Sequence, residues 1–485
     1  MTHIIRQQYL YVDLNGTESD GMALQRQLSD VCQNWLIPAI ERVLDRCAPS
    51  DGHLIIDRLD IDAGVLNLDR LEQDITLLVE QALEQALRQQ TPTSEQAPAK
   101  PVGAVTRKTN QQTVFDAFIH FLKTGTLPWS FRLPTDKTLE QALLDAWETE
   151  LESAMEQRRQ NQALRSILSA VPVRQRLTRQ FSTAFRTRLL SRINPVAEAT
   201  VTTLLSVLNY VYPRPESVAL FERGLWETAF AHTATNTAIS GRQLVREAWQ
   251  ALPNPMPSSD ELAHGLEQYW PGVTQTIPAE NKSAEQETTG QPTDHPATNQ
   301  ETDLPQRLTD NTRLSQPFDT NEGLYIDNAG LILLHPFLAQ FFGALGVAAD
   351  GQLTQPERAL CLLHFLATGQ AVAPEHELLF PKLLCNVPFE TPVEADVTLT
   401  PNELEEADGL LEAVVHHWEA LRNTSPDALR GTFLIRPGKL TLRPDGDWLL
   451  QVESQPYDIL LDQLPWGIAM VKLPWMDRLL RVEWR

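Results

Sequence analysis

Between residues 416 and 440 the sequence HHWEALRNTSPDALRGTFLIRPGKL places two histidines, an aspartate and three arginines in one short span. These residue types could do acid–base chemistry. His416 or His417 would be a general base, Asp427 would orient the imidazole, and Arg430 or Arg436 would hold an electrophile. A structural corner uses the same residues differently. The run LLEAVVHHWEAL ends as a helix would, with one histidine facing solvent near the negative end of the helix dipole and Trp418 turned inward. The segment NTSPDALRG then supplies Asn, Ser and Asp for turn hydrogen bonds around a proline, which needs no catalysis. His335, before Pro336, and His364, on an apolar face, also read as structural.

Other motifs stop short of their chemistry. In GTFLIRPGKL six residues separate Gly431 from Gly438, and Leu440 stands where a phosphate loop carries the Ser or Thr that meets magnesium. HELLF at 376–380 begins like a zinc-protease helix, but Phe380 occupies the place of the second histidine. Neither a G-x-S-x-G elbow nor a G-x-G-x-x-G loop occurs. Cys32, Cys47, Cys361 and Cys385 are far apart, without C-x-x-C or zinc-finger spacing, and read as reduced thiols on helix faces. No catalytic residue, metal site or cofactor is expected. Trp466, Trp475 and Trp484 could line a sugar-binding face, or anchor a small β-core or an interface.

The elements that must position these residues belong to a long, acidic chain. Lys+Arg 40 against Asp+Glu 63 gives a net charge of −23, without the cationic footprint that nucleic-acid binding needs. A basic partner surface would suit it better. With 485 residues, 42% of them hydrophobic, the chain exceeds the size of about 250 residues at which single cores stop growing, so several domains are expected. The opening MTHIIRQQYLYVDLNG lacks a signal-peptide pattern, and no run approaches the ~18 apolar residues of a membrane span. Cytoplasmic synthesis is expected.

The patterning predicts an α+β, multi-domain chain, mainly helical, with a small N-terminal βαβα module and a C-terminal β-meander. Residues 1–90 form the first module: strands at IIRQQYLYVDL and HLIIDRLDIDAG alternate with two amphipathic helices. Residues 91–112 read as a Pro/Ser/Thr/Gln-rich linker and 113–275 as a helical domain. Residues 276–322 hold too few large apolar side chains to offset an ordering cost of about 1–2 kcal/mol per residue, and are expected to be a disordered acidic linker. In 323–485, three helical candidates precede short β-like runs, among them TFLI, LTLR, WLLQVE, DILLD and IAMVKL. Thr400 before Pro401, with Glu403 and Glu405 in the first turn, is a well-formed helix start. One internal echo stands out: His-Phe-Leu-x-Thr-Gly at 120–125 returns at 364–369. A glycine-capped amphipathic helix accounts for it as well as a duplication does.

Several blocks together, including HIIRQQYLYVDLNG, FLKTGTLPW, NAGLILLHPFL, LLHFLATG, HHWEALRNTSPDALRGTFLIRPGKL and DILLDQLPWGIAMVKLPWM, resemble the tape-measure proteins of phage-tail-like extracellular contractile injection systems. The resemblance implies a non-enzymatic part of a contractile particle that sets or helps set inner-tube length. It also implies partners among inner-tube, baseplate or spike proteins, and incorporation into an assembled and released particle. On that reading Arg422, Arg430 and Arg436, cationic in an acidic chain, together with Trp466 and Trp475, are the expected partner contacts. A compact assembly factor or cap and a particle-associated cell-wall hydrolase stand as the alternatives.

Overall fold

A computed structural model describes residues 3–5, 8–48, 52–66, 70–90, 105–134, 137–149, 154–211, 216–237, 240–252, 259–274, 323–395, 397–422 and 424–484. The expected linker at 276–322 lies outside the described residues. The chain divides into two compact units, residues 1–122 with 126–160, and residues 123–125 with 161–485.

The first unit opens with α1 (Glu18–Val31), which runs through a π turn at Cys32–Leu36 into α2 (Ile37–Cys47). β1 (His53–Ile56), α3 (Leu71–Gln90), β2 (Val105–Lys108), α4 (Asn110–Thr124, up to Leu122) and α5 (Leu139–Thr149) follow. Its core is helical. Ile75, Val79, Leu83 and Leu87 recur every four residues along α3 and pack on Val31, Leu36, Ile40 and Val43, as a single helix face must. Arg42 and Arg46 close the edge of this layer on Glu80, at 2.8 and 3.1 Å. The strand expected over Ile4–Leu14 does not form among its described residues. A strand exists only against a partner, and β1 pairs antiparallel with β2, Leu54 opposite Arg107, in a sheet of two strands. The sheet element of this module is thus completed from the stretch read as linker.

In the second unit α6 (Ala154–Ile167, from Asn161 onward), α7 (Val171–Gln180), α8 (Thr183–Ile193), α9 (Pro195–Val211), α10 (Glu216–Thr235), α11 (Gly241–Gln250) and α12 (Ser259–Tyr269) form the helical part. Their starts are written in the sequence. Ser182 and Ser240 accept the Phe185 and Gln243 amides at α8 and α11, and Asn194 accepts the Ala197 amide ahead of Pro195. Phe221, Leu225, Trp226, Phe230 and Leu244 are fully enclosed.

The C-terminal part begins with β3 (Leu324–Ile326), a 3-10 turn at Ala329–Leu334 and α13 (His335–Ala344). β4 (Ala348–Ala349), β5 (Gln352–Leu353), α14 (Pro356–Thr368), α15 (Leu379–Leu384), α16 (Pro401–His417) and α17 (Pro426–Leu429) lead to β6 (Gly438–Leu442), β7 (Trp448–Val452), β8 (Met470–Val471) and β9 (Leu480–Glu483). The predicted start of α16 is present as a reciprocal capping box: the Thr400 hydroxyl accepts the Glu403 amide, and the Glu403 carboxylate accepts the Thr400 amide at 2.7 Å. The same carboxylate is paired with Arg358, which holds its pKa down at about 2.

The terminal sheet is more than a meander. Its order is β3-β6-β7-β9-β8: β6 and β7 form an antiparallel hairpin, but β9 lies parallel to β7 and is flanked by β8. Two runs expected as strands are helical. TFLI lies in a π turn at Arg430–Leu434 and DILLD in a 3-10 helix at Pro456–Gln463. In the second case Gln455 and Asp458 make a capping box and Pro456 sits in the first turn, so local capping overrides the β-type composition. The fold class, α+β and mainly helical, agrees with the sequence.

Candidate functional site

The reactive-looking span at 416–440 is a corner of the fold. His416 and His417 end α16 and are exposed, and Trp418 is fully buried, donating its Nε1–H to the Leu460 carbonyl at 3.2 Å. Asp427 does not orient an imidazole in this arrangement: its carboxylate accepts Arg430 Nη1 at 2.8 Å. Arg430 also reaches Asp408 at 2.7 Å and the Leu366 carbonyl at 3.3 Å, and lies over the Phe365 ring. Arg436 is 2% exposed, with its guanidinium between the Tyr457 and Trp484 rings and both Asp458 oxygens within 2.9 Å. Trp475 is buried and donates to the Leu384 carbonyl at 2.8 Å, and half-buried Trp466 donates to the Leu333 carbonyl at 3.0 Å. Of the five residues expected to meet a partner, Arg422 alone is exposed, at a positive φ of 48° just after a 3-10 turn. The other four spend their polar groups inside the C-terminal part.

The densest polar arrangement lies elsewhere, where α7 meets the loops around α15. The Glu375 carboxylate is fully buried, and its Oε1 accepts both Arg176 Nε at 3.0 Å and Lys382 Nζ at 2.8 Å. Burial pushes the Lys382 ammonium below its ordinary value, while the Glu375 charge pulls it back. Lys382 spends its remaining protons on the Phe389 and Thr391 carbonyls, at 2.9 and 2.8 Å. Arg176 donates to the carbonyls of Lys123 and Glu390. Around this centre Gln180 accepts the Glu375 amide and donates to the Val393 carbonyl, at 2.9 and 2.8 Å. Arg179 reaches Glu357 and the Pro392 carbonyl, and Arg223 pairs with Glu394. Glu375 Oε2 is buried with no hydrogen-bond partner among the described residues.

Two cations thus enclose one carboxylate out of water. Such a cluster is costly to desolvate and holds only while every member is present. Chemically it binds backbone carbonyls and fixes three chain segments, the end of α4, α7 and the loops around α15; among the described residues its carboxylate and both cations are enclosed. No group of three or more metal-ligating side chains occurs among the described residues. A groove of about 700 Å³ beside α9, lined by Val196, Thr200, Leu204, Gly241 and Trp270, lacks convergent polar groups, since the Thr200 hydroxyl is spent on the Val196 carbonyl.

The sequence echo locates one half of this cluster. Both copies of His-Phe-Leu-x-Thr-Gly end a helix at a glycine of positive φ, 79° at Gly125 and 73° at Gly369. Each glycine lies beneath a buried arginine: a Cβ on Gly125 would stand 3.1 Å from Arg176 Nε, and one on Gly369 would stand 3.6 Å from Arg430 Nε. Each arginine follows a helix-starting proline by four residues, Pro172 and Arg176, Pro426 and Arg430. Glu375 and Lys382 carry no comparable signal, because nothing in their spacing separates a buried ion from a surface one.

Residues 2–484 match the family model described as contractile injection system tape measure protein. No curated protein and no solved structure matches the chain significantly.

Proposed function

Because the chain belongs to the family of contractile injection system tape measure proteins, we propose that it acts structurally in assembly of the particle, docking to tube, baseplate or spike components and helping to set inner-tube length. The observation that carries this reading is the extent of the family match, which runs from residue 2 to residue 484 and so includes both the helical and the sheet-containing regions. The docking role falls to the C-terminal part, whose interior is locked by Arg436–Asp458 and by the buried indoles and which therefore offers a rigid surface. Of the arginines expected to meet a partner, exposed Arg422 is the one this reading keeps.

The junction at Glu375 favours one version of this role over another. A literal ruler stretched as a single helix would span about 730 Å at 1.5 Å per residue, but stretching the second unit would first require breaking Arg176–Glu375–Lys382. A compact assembly factor or cap keeps that junction closed. Shortening the segment 276–322 separates the two. If that segment contributes to the ruler, particles in electron micrographs become shorter; if the chain is a compact factor, their length stays the same, while truncation after Gly431 abolishes particles. Normal particles from both variants would sink the assembly role altogether.

A further inference from the structure

Within the first unit, the stretch from Gln8 to Leu14 presents Tyr9, Leu10, Tyr11 and Val12 to solvent, with 70, 43, 89 and 48% exposure. Tyrosine, leucine and valine in this density suit a pleated, half-buried surface and not a hydrated coil. The backbone is already strand-like in one respect. The rings of Tyr9 and Tyr11 stack with centroids 6.4 Å apart, on one side of the chain as residues i and i+2 of a strand would be.

The same unit contains a sheet of two strands. Among the described residues β1 and β2 pair only with each other, and among those residues the outer edge of each has no strand partner. Leu54, Ile55 and Ile56 of β1 remain half-buried, although Ile56 packs against the helical core of the unit. A two-stranded sheet gains stability by packing against a helix, as Ile56 does here, and a third strand with an apolar face would add to it.

We propose that Gln8–Leu14 of one copy adds to the open edge of β1 in a second copy, so that the chain associates with itself by strand addition. Seven extended residues reach about 23 Å, enough to cover the four residues of β1. Leu10, Val12 and Leu14 then lie on one face and Tyr9 and Tyr11 on the other. His3 lies 2.8 Å from Asp45 of α2, so the chain ahead of the donated segment touches its own unit.

Sedimentation velocity of the full-length chain, followed from nanomolar to tens of micromolar concentration, tests this. Reversible self-association is expected, and Val12→Pro, which removes a ladder donor, should weaken it at least about tenfold. Ile55→Pro, on the receiving edge, should do the same. Because either proline could disturb its own unit, the two variants are then mixed: one has an intact receiving edge, the other an intact donated strand, and together they should associate where neither does alone. A wild-type chain that stays monomeric throughout overturns the proposal, including one whose tyrosines become protected only when tube or baseplate proteins are added. So does self-association that Val12→Pro leaves unchanged, or a mixture that fails to associate.

Discussion

Arg176 and Arg430 occupy equivalent places, each four residues into a segment opened by proline and each over a glycine that ends a helix, yet they do different work. Arg176 is fully enclosed, and its carboxylate partner, Glu375, comes from a distant part of the chain and is shared with Lys382. Arg430 closes a local corner, and its carboxylates, Asp408 and Asp427, are 49 and 90% exposed. One arginine cap has become a link between segments, and the other has remained a brace. What differs is the fate of the counter-ion: a carboxylate in water can be lost cheaply, whereas a buried one cannot.

That contrast can be broken most directly at Glu375. Glu375→Ala leaves Arg176 and Lys382 buried without their anion and should cost about 3–5 kcal/mol, read as a lower denaturant midpoint of the second unit. A midpoint close to wild type would show that the ions are hydrated and that the link is weaker than its burial suggests. Acid probes a pair that does not involve Glu375. The Glu403 pKa is lowered in the folded chain to about 2, chiefly by its hydrogen bond with Arg358. A carboxylate with a depressed folded pKa stabilises above its unfolded pKa, so this contribution is present at neutral pH and is lost as pH falls from about 5 toward 2. Glu403→Gln should flatten the stability profile in that window, and an unchanged profile would remove the pair from the ledger of acid sensitivity.

The two glycines sharpen the comparison. At Gly125 a methyl would stand 2.5 Å from Glu375 Oε1, in addition to the left-handed backbone, whereas at Gly369 the nearest atom is 3.6 Å away. Gly125→Ala should therefore destabilise by about 2–3 kcal/mol and Gly369→Ala by about 1 kcal/mol, in paired thermal melts. Equal losses would mean that backbone strain alone matters at both. The smallest effect belongs to Asp427→Ala: the unfolding midpoint should stay unchanged, and zymograms on cell-wall substrate should be as blank as those of the wild type.

Much of the helical framework is legible in the residues themselves. Thr400, Pro401 and Glu403 announce α16, and Gly369 announces the end of α14, because caps are local and use side chains within a few positions. Composition predicts strands at TFLI and DILLD, but TFLI lies in a π turn begun by Arg430, whose guanidinium meets the Leu366 carbonyl, and DILLD lies in a 3-10 helix that Asp458 helps to cap. The opening cluster was misleading for a related reason. Arg430 and Arg436 are cationic in the sequence, and it is the fold that pairs Arg430 with Asp427 and Asp408 and Arg436 with Asp458. Arg176 had a faint signal in the repeated proline–arginine spacing after each His-Phe-Leu-x-Thr-Gly, whereas Glu375 and Lys382 had none.

The chemistry around Glu375 also has a mechanical side. An apolar contact can slide and repack as its halves are drawn apart, but a lattice of hydrogen bonds to fixed carbonyls loses most of its strength within about an ångström of separation. Under load, the bonds from Arg176, Arg179, Gln180 and Lys382 would resist together and fail together. The segments they join would behave less like a spring than like a shear pin, rigid up to a threshold and then free.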